Sequence, residues 1–206
     1  MRYVGPVCKL CRREGEKLYL KGSRCLTAKC SFEKRKTPPG LQMGQVPKKL
    51  SEYGIRLRAK QRARRYYGMN ERQFRILFEK STRQKGIKSL NFLTNLERRL
   101  DSLVFRLGLA SSHAQARQLV RHGHILVNGQ RLTVPSYLVK LNDELSLHRN
   151  SDKVFETALA GMGTKKIPAW VSFNAAEKKG RILHWPVREE IDAPTHEQFI
   201  VEFYSR

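Results

Sequence analysis

Ser111-Ser112-His113-Ala114-Gln115-Ala116-Arg117-Gln118-Leu119-Val120-Arg121-His122-Gly123-His124 runs on into Ile125-Leu126-Val127-Asn128-Gly129. Ser112 followed three residues later by Gln115 is a helix-start pair. Ala116, Leu119 and Val120 then fall on one face and read as buried. Arg117, Arg121 and His122 fall on the outward side, and Gly123 stops the helix. His124 to Val127 alternates as a strand, and Asn128-Gly129 is the strongest short tight-turn signal. Leu132 to Val134, Tyr137 to Val139 and Leu145 to Leu147 supply further strands, with Asn142-Asp143 as a turn. Upstream, Leu90, Leu93, Leu96, Leu100, Leu103 and Leu107 recur at helical spacing. They predict one long amphipathic helix ended by Gly108. Residues 95–150 therefore read as two helices packed on a small antiparallel sheet. Their polar residues gather at the end of the second helix.

The 206-residue chain as a whole is strongly basic, with Lys+Arg 41 against Asp+Glu 18 and a net charge of +23. Mean hydropathy is −0.56. No run of eighteen apolar residues occurs, so the expectation is no membrane span. The opening residues lack an apolar signal core, and a folded intracellular protein is expected. A chain this basic takes a polyanion as its first partner, and nucleic acid leads that class. The charge is uneven. Residues 1–75 carry 21 Lys/Arg against 5 Glu, whereas residues 186–206 carry 2 against 5 acids. A basic front and an acidic end read as two surfaces for two kinds of partner.

Four cysteines stand at Cys8, Cys11, Cys25 and Cys30. Two close pairs joined by a short loop can bring four thiolates onto one tetrahedral ion. Leu18-Tyr19-Leu20 before Gly22 fits a strand and turn between them, so this segment reads as a small metal ribbon. Zinc is the first choice, and an iron–sulfur cluster would use the same ligands. Two disulfides or four free thiols are the alternatives. Four protein ligands leave no open position, so the role is structural.

Residues 31–50, with Pro38-Pro39-Gly40, Gly44 and Pro47, read as a basic linker. Ser51 to Tyr67 reads as a helix stopped by Gly68. It carries Arg56, Arg58, Lys60, Arg62, Arg64 and Arg65, with only Glu52 as a local acid. Six cations repelling one another on one helix call for an external anion, and phosphate contact is the expectation. Asn70 with Gln73 starts the next helix, which buries Phe74, Leu77 and Phe78. After the sheet, Phe155, Ala158 and Leu159 suggest a short helix. Ala169–Phe173 and Arg181–Trp185 read as a hairpin across Lys178-Lys179-Gly180, with both tryptophans in the core. Thr195 with Gln198 starts a terminal helix, with a strand as the alternative. Phe199, Ile200, Phe203 and Tyr204 share one face, and Glu197 and Glu202 lie elsewhere as acids for a protein contact.

The 111–124 string, with Arg99-Leu100-Asp101, Val127-Asn128-Gly129 and Pro135-Ser136-Tyr137, resembles the RNA-binding module named after ribosomal protein S-four. Other motifs extend the likeness over essentially the whole chain. They are Tyr3-Val4-Gly5-Pro6 with the four cysteines, Leu50-Ser51-Glu52-Tyr53-Gly54, Tyr67-Gly68-Met69 with Glu71-Arg72-Gln73-Phe74, and Glu202-Phe203-Tyr204-Ser205-Arg206. Together they resemble the bacterial small-subunit ribosomal protein four family.

The resemblance implies an α+β fold in four parts. These are a metal-binding arm (1–45), a basic helical domain (46–94), the S-four module (95–150) and a helix-plus-hairpin extension (151–194). The helix of 195–206 would pack back on the helical domain. It implies no enzyme, but a structural constituent of the cytoplasmic small subunit that binds the 5′ domain of 16S rRNA and nucleates assembly. Arg2, Lys9, Arg12, Arg13, Lys21, Arg72 and Tyr67 would join the six helix cations on RNA. Arg117, Arg121, His122 and His124 would contact RNA from the module, although the two histidines also read as ordinary loop residues. Small-subunit protein five would meet Glu197 and Glu202 and affect accuracy. Messenger RNA where it enters the subunit is a weaker partner, because Gln45-Val46-Pro47-Lys48-Lys49 supplies only two cations. No homo-oligomer is expected. A free RNA chaperone or an RNA-modifying enzyme with the same module is the alternative; the enzyme would lack room for a catalytic core.

Overall fold

A computed structural model of the chain describes residues 3–41, 49–160 and 167–205. In chain order the helices are α1 (Cys8–Glu14), α2 (Ser31–Lys34), α3 (Glu52–Tyr66), α4 (Glu71–Thr82), α5 (Lys88–Glu97), α6 (Leu100–Arg106), α7 (His113–Arg121), α8 (Asp152–Ala160) and α9 (Glu197–Tyr204). The strands are β1 (Ile125–Val127), β2 (Gln130–Arg131), β3 (Glu144–Leu147), β4 (Val171–Asn174) and β5 (Lys179–Ile182). The chain divides into a helical unit, Met1–Phe92 with Ala193–Arg206, and a sheet unit, Leu93–Asp192. Among the described residues, no helix is long and apolar enough to cross a membrane.

The helical unit is built on two capped helices. Ser51 Oγ accepts from the Gly54 N–H at 3.2 Å and opens α3; Asn70 Oδ1 accepts from the Gln73 N–H at 2.8 Å and opens α4. Each cap satisfies an amide that the helix itself leaves orphaned. Phe74 and Phe78 of α4 meet Phe92 edge to face at 5.1 and 5.3 Å. Helix α9 lies along α3. Its Tyr204 ring sits 4.7 Å from Phe78, and Ile200 is fully buried. Burying a leucine or phenylalanine is worth about 1.5–3 kcal/mol, so this aromatic cluster outweighs any one surface pair.

The sheet unit packs α6 and α7 against a five-stranded antiparallel sheet of order β2-β1-β3-β5-β4. Leu100, Leu103, Leu107, Val120, Phe155 and Trp170 are solvent-free within one apolar cluster. Gly180 on β5 permits this packing: a Cβ there would meet the Leu107 side chain at 3.1 Å and Phe173 at 3.2 Å. Asn128 (φ 51°) and Gly129 (φ 77°) form the tight turn between β1 and β2 that their dipeptide announces.

Several expectations are corrected. The cysteine segment is no strand ribbon: α1 carries Cys8 and Cys11, and Gly22–Leu26 is a 3-10 turn. Leu18 is core and Tyr19 turns the chain at φ 48°. The leucine stripe is not one helix, because the chain is extended at Arg99 (φ −62°, ψ 138°). There Leu100 N–H donates to Tyr137 O at 2.9 Å, Asp101 N–H to Pro135 O at 3.2 Å and Val139 N–H to Arg98 O at 3.0 Å. Residues 135–139 thus bond to the helix break through a single bridge rather than forming a strand. Residues 132–134 form none either; the additional strands come from the β4–β5 hairpin, whose turn ends before Lys179. His196 rather than Thr195 occupies the α9 cap position, with no side-chain cap bond, and Phe199 is exposed rather than buried with its neighbours.

Candidate nucleic-acid interface

The polar end of the sheet unit is assembled by the close of α7. Arg121 and His122 are exposed there. Arg131, across the Asn128-Gly129 turn, reaches back so that its Nη2 donates to His122 O at 2.8 Å. The chain turns at Gly123 with φ +74°, and a Cβ at that residue would stand 1.9 Å from Arg131 Nε. Glycine is therefore required twice, by the backbone and by the guanidinium laid over it. His124 is half-buried, with Nδ1 2.8 Å from Ser151 Oγ and its ring edge-on to Phe155. Burial lowers its pKa, helped by His122 and Arg131, so it is neutral at pH 7. Asn128 is turn chemistry: its Nδ2 donates to Asp143 Oδ1 and its Oδ1 accepts from Glu144 N–H, both at 2.9 Å. Arg117 does not simply point outward, because its Nη1 donates to Asp101 Oδ2 at 3.2 Å. The same carboxylate holds the buried Arg99 in a two-pronged pair at 2.7 and 3.0 Å.

In the helical unit the cations of α3 find acids after all. Arg56 pairs with Glu202 at 2.5 Å and Glu52 at 3.1 Å. Lys60 is buried, pairs with Glu71 at 2.6 Å and lies 4.5 Å from the Phe203 ring centre. Arg64 reaches Glu71 at 3.5 Å, and Arg62 reaches Glu16 at 2.8 Å. Arg58 Nη1 donates to Glu14 Oε1 at 3.1 Å, and Arg65 donates to the same oxygen. The premise of a helix short of acids is thereby corrected. Three of the five carboxylates, Glu14, Glu16 and Glu202, come from more than forty residues away, which local reading does not see. Burial pushes the Glu14 carboxyl up even against Arg65, Arg58 and Arg62. At Glu71 burial also acts upward, but Lys60 and the Tyr204 hydroxyl donate to it and hold it low.

Lys9, Arg13 and Lys21 of the first segment are exposed, while Arg12 donates from Nε to Thr37 O at 2.8 Å. The four cysteines form no disulfide. They lie close enough for charge on Cys25, Cys8 and Cys30 to act on Cys11, and for charge on Cys30 and Cys8 to act on Cys25. Burial pushes the Cys11 and Cys25 thiols up; backbone hydrogen bonds from Leu18 and Lys21 act the other way and favour the thiolates. Among the described residues, no three Cys, His, Asp or Glu side chains stand as a ready coordination set.

The family profile described as "Ribosomal protein S4/S9 N-terminal domain" matches residues 2–97, and the "S4 domain" profile matches residues 98–145. The small ribosomal subunit protein uS4A of Symbiobacterium thermophilum is 51% identical, covering 100% of this chain and 99% of its own. The uS4 proteins of Pelotomaculum thermopropionicum and Thermus thermophilus are 52% and 49% identical over the same shares. The chain belongs to the uS4 family.

Against that uS4 background, the anticipated contact residues divide sharply. Lys9, Arg13, Lys21, Arg72, Arg121 and His122 are exposed. The α3 arginines are half-buried and engaged, and Tyr67 is core, 2% exposed, against the Tyr66 ring. Tyr67 is thereby withdrawn as a surface for RNA bases. Arg2, and Lys48 of the basic linker, lie outside the described residues. Glu202 is an outward, exposed acid that pairs with Arg56, and Glu197 is half-buried. Arg131 and Glu14 are missed by sequence reasoning, and Asp101 enters it only as part of the Arg99-Leu100-Asp101 motif, with no role of its own. Arg131 had a signal, since it follows a two-residue turn that returns it beside α7. Glu14 had none, because its three arginines are more than forty residues away.

Proposed function

We propose that this uS4-family chain is a structural, primary rRNA-binding constituent of the small ribosomal subunit in the cytoplasm. On this reading it binds the 5′ domain of 16S rRNA and nucleates subunit assembly. The observation that carries it is the α7–β2 end of the sheet unit. Arg121, His122 and Arg131 gather there around a glycine turn, inside the segment that the S4-domain profile matches. RNA junctions are recognised through shape, phosphates and 2′-hydroxyls, and rigidly held cations suit that task. Lys9, Arg13 and Lys21 would track phosphates from the first segment. No catalytic step belongs to this reading. Contact with small-subunit protein five, and through it an effect on accuracy, falls to Glu197 and the exposed Glu202, with the exposed Phe199 beside them. Lys49 remains for messenger RNA.

The test is binding of the full chain to a 5′-domain transcript across a salt series. If roughly eight phosphates are neutralised, log K against log salt has a slope of about −6 to −7. Arg121→Gln with Arg131→Gln should reduce the preference for that transcript over generic duplex RNA about tenfold or more. Equal affinity of the wild-type chain for both RNAs rejects the reading.

We also propose one zinc ion on Cys8, Cys11, Cys25 and Cys30, an iron–sulfur cluster on the same residues being the alternative. Four neighbouring thiols, unpaired by disulfide and with backbone donors toward two sulfurs, have the right donor chemistry. The ion would supply a structural cross-link to a segment with few core residues. Metal analysis should find about one equivalent. Cys8→Ser with Cys11→Ser should lose it and strip amide protection from residues 3–35, leaving 98–147 protected. Metal-free wild-type protein with those N-terminal amides still protected overturns the proposal.

A further inference from the structure

The helical unit carries a second cationic surface with the opposite character to α3. Arg72, Lys80, Arg83, Lys85 and Lys88 are all exposed, and none makes an ion pair or side-chain hydrogen bond among the described residues. On α4 the positions 72, 76, 80 and 83 follow helical spacing on one side, and 72 to 83 spans about 16 Å at 1.5 Å per residue. The acids nearby are engaged elsewhere: Glu71 is held by Lys60, and Glu79 is paired with Arg75 at 2.9 Å. The loop that follows is tied in place. Asn91 Nδ2 donates to Gln84 O at 3.4 Å and to Lys85 O at 3.2 Å. Its cations are therefore presented from a fastened backbone.

Two of these residues stand where the fold gains nothing from them. Arg72 is in the first turn of α4 and Lys88 is the first residue of α5. Both are helix N-termini, where the macrodipole disfavours a positive charge. Lys80 and Arg83 suit the α4 C-terminus, so helix electrostatics account for them but not for the other two. An anion from outside the chain accounts for all five.

Resting on the rRNA-binding reading, we propose that the outer face of α4 and the 83–88 loop form a phosphate-tracking site for the RNA backbone, and that α3, whose cations are already neutralised, does not. A phosphate approaching α3 must displace a carboxylate; one approaching α4 displaces only water and counterions.

The test compares two full-length variants on the 5′-domain transcript. Arg72→Gln, Lys80→Gln, Arg83→Gln and Lys85→Gln together should make the salt slope shallower by about three, at 0.7–0.9 per phosphate lost. Arg58→Gln with Arg62→Gln should leave the slope within about one of wild type while lowering the unfolding temperature. Lysine acetylation read by mass spectrometry gives a measure on the unmutated chain: Lys80, Lys85 and Lys88 should be protected in the complex. A wild-type slope in the four-residue variant, or undiminished labelling of those lysines on RNA, overturns the proposal. Protection that appears only when other subunit proteins are added also overturns it, because the face then meets protein. If wild-type protein shows no steep slope at all, the rRNA-binding reading fails first and this site with it.

Discussion

Acidifying the protein from pH 7 to pH 4 is expected to weaken the sheet unit by about 3 kcal/mol through His113 alone. His113 is at the start of α7, with its ring 4.3 Å from that of Phe105. Burial, then Arg106 and Arg99, push its pKa down from 6.5 to about 3. The unfolded chain takes up a proton near pH 6.5, whereas the folded chain does so only near pH 3. The stability that the neutral ring supports is complete above pH 6.5 and is lost as pH falls toward 3. Glu144, held low by Lys179 and Arg181, adds loss in the same direction. His113→Phe keeps a ring beside Phe105 and removes the titration. Thermal unfolding at both pH values should show the gap between them narrowing in the variant. An unchanged gap would mean that His113 is protonated in the folded state.

Asp101→Ala should be more damaging still at neutral pH. Arg99 and Asp101 have 3% and 4% exposed side chains, and Asp101 also holds Arg117 and the Ser102 N–H. Removing one partner of a buried pair strands the other, at a cost of about 3–5 kcal/mol. For a unit of this size the unfolding temperature should fall by about 12 °C or more. The double replacement Arg99→Met with Asp101→Leu should recover most of that loss, because two apolar side chains strand no buried charge. A double variant no more stable than Asp101→Ala would show that the carboxylate matters through Arg117 and Ser102 instead. RNA affinity of the folded Asp101→Ala protein then reports whether Arg117 needs its tether.

Much of this architecture was legible from local chemistry. Ser51, Asn70 and Ser112 each cap the helix they announce, and Asn128-Gly129 makes its hairpin. These signals work because donor and acceptor lie within three residues. The larger failures share a cause: each depends on partners that only the fold brings together. The leucine stripe runs through Arg98-Arg99 without a break in its spacing, yet the helix breaks because residues 135–139 offer backbone partners there. The α3 cations look unneutralised because Glu14, Glu16, Glu71 and Glu202 are brought to them only by folding. At the interface, Arg121 and His122 were readable as the polar end of an amphipathic helix. Arg131 needed the turn geometry, and the α4 ridge needed knowledge of which acids were already taken.

The helical unit is interrupted: about a hundred residues of the other unit intervene before Ala193. A ribosome making this chain therefore delivers α3 and α4 well before α9, the helix that brings Ile200, Tyr204 and the Arg56 partner Glu202 to them. The sheet unit has every strand and both of its packed helices in hand by residue 192, so it can complete first. Until α9 emerges, Phe78 and the flank of α3 lie open, and Lys60 and Arg56 lack part of their cover. Order of completion thus runs opposite to order of synthesis: the unit begun first is the one finished last.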